Sequence, residues 1–215
     1  SNIRRVYNGF DFSYLDSEQR GEMPEEILEA ALTIGMIARV HFWKGQTYFL
    51  EIASALKALG VKATYVMVGD AYPGYEYLYD EIQEKLDDLG LKGEVVDLGY
   101  REDIGHILER LDLFVLPSIL PDPLPTTVLE AMSKGKPVVA TAHGGALEMV
   151  EDQVSGIHIP WDNAKKAAEK IKLILADRDA LATFGKNGQN RLRQYFSEDA
   201  FRQNIIALID QDATN

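Results

Sequence analysis

The sequence predicts an α/β fold: one doubly wound domain built on a six-stranded parallel sheet, with helices at its C-terminal end. Two observations lead there. Short apolar and β-branched runs alternate with amphipathic helical stretches almost without a break, the pattern left by helical crossovers between parallel strands. Several of these runs, such as LFVL at 113–116 and PVVA at 137–140, are apolar at every position, as strands are when helices cover both faces of a sheet. With 215 residues and 46% hydrophobic content, the chain has enough apolar surface for a substantial core.

In chain order, strands are expected at 33–38 (TIGMIA), 63–68 (ATYVMV), 94–97 (EVVD), 113–116, 137–140 and 156–159 (GIHI). Helical periodicity is expected at 46–59, 75–89, 103–111, 126–134, 145–151, 163–176, 178–195 and 198–210. This gives a mixed junction segment at 1–31, a Rossmann-like domain at 32–187 and C-terminal helices at 188–215. Open parallel sheets bind ligands outside the carboxyl ends of their strands. The loops at 39–45, 69–74, 99–102, 117–126 and 141–146 are therefore expected to converge on a site. The opening SNIRRVYNGFDF is abrupt, so the chain reads as a piece of a longer protein, with Ser1 and Asn2 foreign to it.

A net charge of −12 argues against a nucleic-acid binder and against direct docking on anionic lipid. Any anionic ligand has to be met locally. The chain has no cysteine, which excludes disulfides, thiol nucleophiles and cysteine metal sites and fits a reducing, cytoplasmic compartment. No apolar run approaches the roughly 20 residues that a membrane helix requires.

The first strand is followed by ARVHFWKG rather than a glycine triplet, so a dinucleotide fingerprint is absent and a phosphate site has to be built differently. Arg39 and Lys44 lie five positions apart on this loop; a forked guanidinium and a point-charge ammonium suit a diphosphate. Taken alone, the reading as solvated surface charges prevails. Corroboration comes from residues 121–145, PDPLPTTVLEAMSKGKPVVATAHGG. Pro125 presets the φ of a first helical turn, which leaves the amides of Thr126, Thr127 and Val128 to face an anion, aided by the helix dipole and two threonine hydroxyls. Glu130 sits one turn behind on the same side, where a carboxylate accepts both hydroxyls of a ribose; a solvated helix glutamate is the alternative. Asp122, in the loop before the helix, is either a sugar-hydroxyl acceptor or an Asp turn residue.

The runs ARVHFWKG and LDLFVLPSILPDPLPTTVLEAMSKGKPVVATAHGGALEMVEDQVSGIHIP, with NGFD at Asn8 to Asp11, resemble the donor-binding, C-terminal domain of the group 1 retaining glycosyltransferases (glycosyltransferase family 4, GT-B fold). That resemblance implies diphosphate-holding, catalytic roles for Arg39 and Lys44. It matches the family's pair of acids, which have seven residues between them, to Asp122 for the donor sugar, also catalytic, and Glu130 for the ribose. The first acid is shortened here, and Leu124-Pro125 replaces the frequent Phe-Gly. By position, Tyr100 and Arg101 follow the glycine that precedes the base-contacting backbone. The implied activity is transfer of a sugar from a nucleoside diphosphate to a glycan or glycolipid acceptor, with retention, no metal and no cofactor. An N-terminal acceptor domain would supply the rest of the active site. A sugar-nucleotide epimerase and a non-catalytic donor-binding partner subunit are the alternatives.

Other residues have plainer readings. The Asp-x-Asp matches at Asp177 and Asp210 fall in or beside C-terminal helices, as solvated faces. His106 and His158 are expected to pack. His143, before Gly144-Gly145, either faces the ligand or does not, and Trp43 is either an exposed loop aromatic or a contact to the acceptor side.

Overall fold

The protein is described here by a computed structural model covering residues 5–18 and 20–212, with side chains through residue 210; Ser1 and Asn2 lie outside the described residues. Six parallel strands, β1 (Thr33–Ile37), β2 (Thr64–Val68), β3 (Val95–Asp97), β4 (Leu113–Leu116), β5 (Val138–Thr141) and β6 (Gly156–Ile159), form one sheet in the order β3-β2-β1-β4-β5-β6. The connections run outward from the centre in both directions, so the topological switch point lies between β1 and β4.

The helices are α1 (Glu25–Leu28), α2 (Gln46–Ala58), α3 (Tyr77–Asp88), α4 (Ile104–Arg110), α5 (Thr126–Ser133), α6 (Ala146–Met149), α7 (Ala164–Leu175), α8 (Arg178–Tyr195) and α9 (Glu198–Asp212). Alternation along each strand splits the core into two layers. Leu113 and Val115 of β4 join Ile34, Met36 and the apolar faces of α2, α3 and α7. Phe114 and Leu116 join α4, α5 and α6 on the other side. Both layers exclude water, which explains why β4 is apolar throughout. The six expected strands and eight expected helices are present, with ends displaced by at most two residues.

The two flanking regions differ from expectation. The segment before the sheet carries a 3-10 turn at Ser13–Asp16 and the single turn of α1, both too short for periodicity to reveal. It also buries Leu15, Met23 and Ile27 against the second layer. The NGFD stretch is part of this docking. A side chain on Gly9 would sit 2.7 Å from the Glu198 backbone and from Phe201, so only glycine lets the segment reach the C-terminal helices, where the Phe10 amide donates to the Phe196 carbonyl at 3.0 Å. At the other end, the expected boundary at residue 187 falls inside α8. This helix packs Phe184 into the first layer and Leu192 into the second, so it belongs to the domain rather than beginning a separate unit. Among the described residues no helix is long and apolar enough to cross a membrane.

Candidate nucleotide-sugar site

The loops after β1 and β4 lie side by side at the switch point. They are joined by the Ile119 amide donating to the Trp43 carbonyl at 2.8 Å. The Arg39 carbonyl is held by Gln46 Nε2 at 2.9 Å, and the Arg39 guanidinium lies over the Tyr72 ring, 4.0 Å from its centroid. Among the described residues Arg39 has no carboxylate partner. Lys44, on the same loop, is engaged differently. Its ammonium forms an ion pair with Asp122 Oδ2, and the two side chains are only 18% and 11% exposed. The expected diphosphate cation and the expected sugar acid thus neutralise each other within the site.

The backbone control seen in residues 121–145 serves to place Asp122. Its carbonyl accepts from the Gly145 amide at 2.7 Å. Gly144 has φ +61°, and a Cβ there would come within 2.4 Å of the Asp122 oxygen, so the loop after β5 can lie against the loop before α5 only with glycine at this position. His143 completes the clamp. Its Nε2 donates to the Ser118 carbonyl at 2.7 Å, which fixes the tautomer because a carbonyl only accepts. The ring also stacks near Trp161 at 6.3 Å and 12°. In this way the histidine joins the loops after β4 and β5.

Helix α5 begins at Thr126, with Pro125 as the residue before it (φ −72°, ψ 88°) rather than within its first turn. One expected donor is lost at this opening. The Val128 amide donates to the Pro125 carbonyl at 3.0 Å and its side chain is fully buried, so the amides of Thr126 and Thr127 are the ones at the helix opening. Thr127 and Glu130 line the same cavity of about 620 Å³ as Arg39, Tyr72 and Tyr100. Of the site residues expected from sequence, Arg39, Tyr100, Arg101, Thr127 and Glu130 line this cavity, whereas Lys44, Asp122, Pro125, Thr126 and Val128 are not part of its lining. Glu130 accepts from the Tyr14 hydroxyl at 2.8 Å. Burial raises its pKa above the ordinary glutamate value, and the Tyr14 hydrogen bond partly offsets that.

Arg101 also lines the cavity, but its guanidinium is committed elsewhere. Nε and Nη2 form a fork on Asp103, both at 2.7 Å, and Nη1 donates to the Glu22 carbonyl at 3.0 Å. Asp103, 3% exposed at its side chain, also accepts from the Gly21 amide at 2.7 Å, and these contacts hold its carboxyl well below the usual range. Arg101 is thus a strut between the loop after β3 and the N-terminal segment, whereas Tyr100 is exposed over the cavity. His106 packs beside Asp103 at 3.4 Å. His158 reaches the Ala146 carbonyl at 3.4 Å, and Asp177 caps α8 through the Ala180 amide.

Three residues of the site went unread in the sequence. Tyr72 supports Arg39 from a loop expected to converge, and its position in residues 69–74 was the available signal. His41, in residues 39–45, had the same signal, whereas Tyr14 carried none. The His41 ring packs 4.3 to 5.0 Å from Phe42, Tyr75 and Trp43, and its buried Nδ1 has no partner among the described residues. Burial and the neighbouring Arg39 and Lys44 charges depress its pKa, which keeps the imidazole neutral.

The family model described as Glycosyl transferases group 1 matches residues 22–191. The chain is 33% identical over 205 residues to the N,N'-diacetylbacillosaminyl-diphospho-undecaprenol alpha-1,3-N-acetylgalactosaminyltransferase of Campylobacter jejuni, covering 94% of this chain and 51% of that protein. It is 27% identical to the UDP-Gal:alpha-D-GlcNAc-diphosphoundecaprenol alpha-1,3-galactosyltransferase of Escherichia coli, over 97% and 52% of the two. The chain thus spans about half the length of these curated relatives. Among solved structures, Anabaena Alr3699/HepE in complex with UDP and glucose superposes with a TM-score of 0.80 at 29% identity, covering 95% of this chain and 56% of that one. Its complex with UDP-glucose gives 0.81 over 96% and 57%. Sequence match, sheet order and the placement of Arg39, Thr127 and Glu130 around one cavity agree: the chain belongs to the group 1 glycosyltransferases, as a C-terminal domain of that family.

Proposed function

We propose that this chain is the donor-binding part of a retaining glycosyltransferase that takes its sugar from a uridine diphosphate carrier and passes it to a glycan or lipid-linked acceptor. The observation that carries the reading is the shared cavity: an arginine with no acid partner among the described residues, the opening of α5 and a half-buried glutamate one turn deeper, all at the sheet's switch point. The UDP and UDP-glucose held by the Anabaena structures favour the uridine base. The diphospho-undecaprenol acceptors named for two relatives favour a lipid-linked acceptor.

In this reading the diphosphate lies between Arg39 and the Thr126 and Thr127 amides, which stabilise the negative charge that grows on it as the glycosidic bond breaks. Lys44 has three donors, so it can share its ammonium with a phosphate oxygen while still holding Asp122. Asp122 then keeps acceptor capacity for the sugar hydroxyls. The departing phosphate guides the incoming hydroxyl, and neither a protein nucleophile nor a metal is required. Tyr100 covers the base and Glu130 accepts the ribose hydroxyls. An acceptor-binding domain outside this chain supplies the second substrate, so the chain by itself binds donor with little transfer, in a cytoplasmic setting.

Calorimetric titration of the chain with UDP, GDP and ADP tests this. UDP is expected to bind most tightly, and Glu130→Ala should lose about tenfold to a hundredfold in affinity, the worth of hydrogen bonds to a charged acceptor. Silence from all three nucleotides at millimolar concentration would end the proposal.

A further inference from the structure

Tyr14 lies outside every element that forms the sheet or its loops, yet its hydroxyl donates to Glu130 Oε1 at 2.8 Å across 116 positions of chain. The segment that delivers it is built for the purpose. Asp11 opens the 3-10 turn by accepting from the Ser13 amide at 2.8 Å and the Ser13 hydroxyl at 2.9 Å. Leu15 is buried under the turn. Asp16 pairs with Lys134 at 2.6 Å. Lys134, the C-cap residue of α5, lies one helical turn after Glu130, so the 3-10 turn runs along this helix and is pinned to it at two successive turns.

A glutamate rotates freely about its terminal torsion unless something holds the carboxylate plane. Here one lone pair of Oε1 is occupied by a phenol that burial and the neighbouring carboxylate keep protonated. The second oxygen and the remaining lone pair are left for other donors. We propose that Tyr14 is a positioning residue of the nucleotide site: its hydroxyl fixes the Glu130 carboxylate in the orientation that receives the vicinal ribose hydroxyls, which makes the segment before the sheet part of the grip on the nucleotide. This rests on the reading of the cavity as a nucleoside diphosphate site. Tyr14 itself touches no reacting group.

The test compares the 215-residue chain with its Tyr14→Phe variant, which keeps the ring packed 6.2 Å from Phe12 and loses only the hydroxyl. The probes are UDP and 2′,3′-dideoxy-UDP, or the same pair on guanosine or adenosine if that base binds more tightly. The wild type should prefer the ribose form by tenfold or more. In Tyr14→Phe that preference should shrink about fivefold to tenfold, through weaker binding of the ribose form alone. An unchanged preference, or an equal loss for both nucleotides, overturns the positioning role and leaves the site reading intact. A wild type that binds no nucleoside diphosphate, or binds both forms equally, overturns the site reading and the inference with it.

Discussion

The loop after β1 and the helix α5 meet at one cavity but handle charge in opposite ways. The loop presents two cations, of which Lys44 is neutralised by Asp122 and Arg39 is supported by an aromatic ring, with no acid beside it among the described residues. The helix presents one acid, Glu130, whose partner is a neutral hydroxyl. On a chain of net charge −12, the local balance around a ligand therefore depends on which partners the fold brings to each group rather than on how many charges the sequence holds. Arg39 and Glu130 keep capacity for a ligand, whereas Lys44 and Arg101 have spent much of theirs on the protein.

That contrast can be broken most sharply at Lys44. Lys44→Ala strands Asp122, 8% exposed, as a carboxylate without its counter-charge. Breaking a buried pair costs about 3 kcal/mol or more, so the melting temperature should fall by roughly 6–12 °C in a domain of this size. Adding Asp122→Asn should restore most of it, and calorimetric melting of the single and double variants checks both. Arg39→Ala should do the reverse, leaving the melting temperature within a few degrees while UDP affinity falls about tenfold to a hundredfold, since a ligand contact is lost and, within the protein, only an exposed stacking contact to Tyr72. Titration beside a thermal melt separates the two cations.

Gly144→Ala is expected to cost about 1–3 kcal/mol of stability through its left-handed backbone and the close Asp122 carbonyl. It should weaken a UDP-sugar more than UDP, because it displaces the Asp122 loop and leaves α5 in place. A comparison of the two ligands by calorimetry decides this.

The smallest effect belongs to Glu130. Its folded-state pKa is raised by burial, so its contribution to stability is fully present below the ordinary glutamate value, about 4.3, and is lost as pH rises through the raised value. Glu130→Gln should therefore melt at most a few degrees higher than the wild type at pH 7, with the difference vanishing below about pH 4. The same variant should bind UDP more weakly, since stability and ligand capacity oppose each other at this residue.

The sequence by itself determined the α/β class, the six strands and their helices. Alternating apolar and amphipathic runs are local properties, and a parallel sheet covered on both faces is the arrangement that satisfies them. It also indicated Arg39, Lys44, Asp122, Thr127 and Glu130, because loops at the carboxyl ends of parallel strands converge whatever their details. Only the tertiary structure decided what each of these groups faces. The Lys44–Asp122 pair spans 78 positions and the Tyr14–Glu130 hydrogen bond spans 116, and no periodicity reports a contact at that separation. The diversion of Arg101 to Asp103 is local in sequence, yet it became visible only once the residue 21–22 backbone was seen docked beside it. The amide of Val128 was lost to the Pro125 carbonyl three positions back, a contact set by the ψ angle of Pro125, which its ring leaves free.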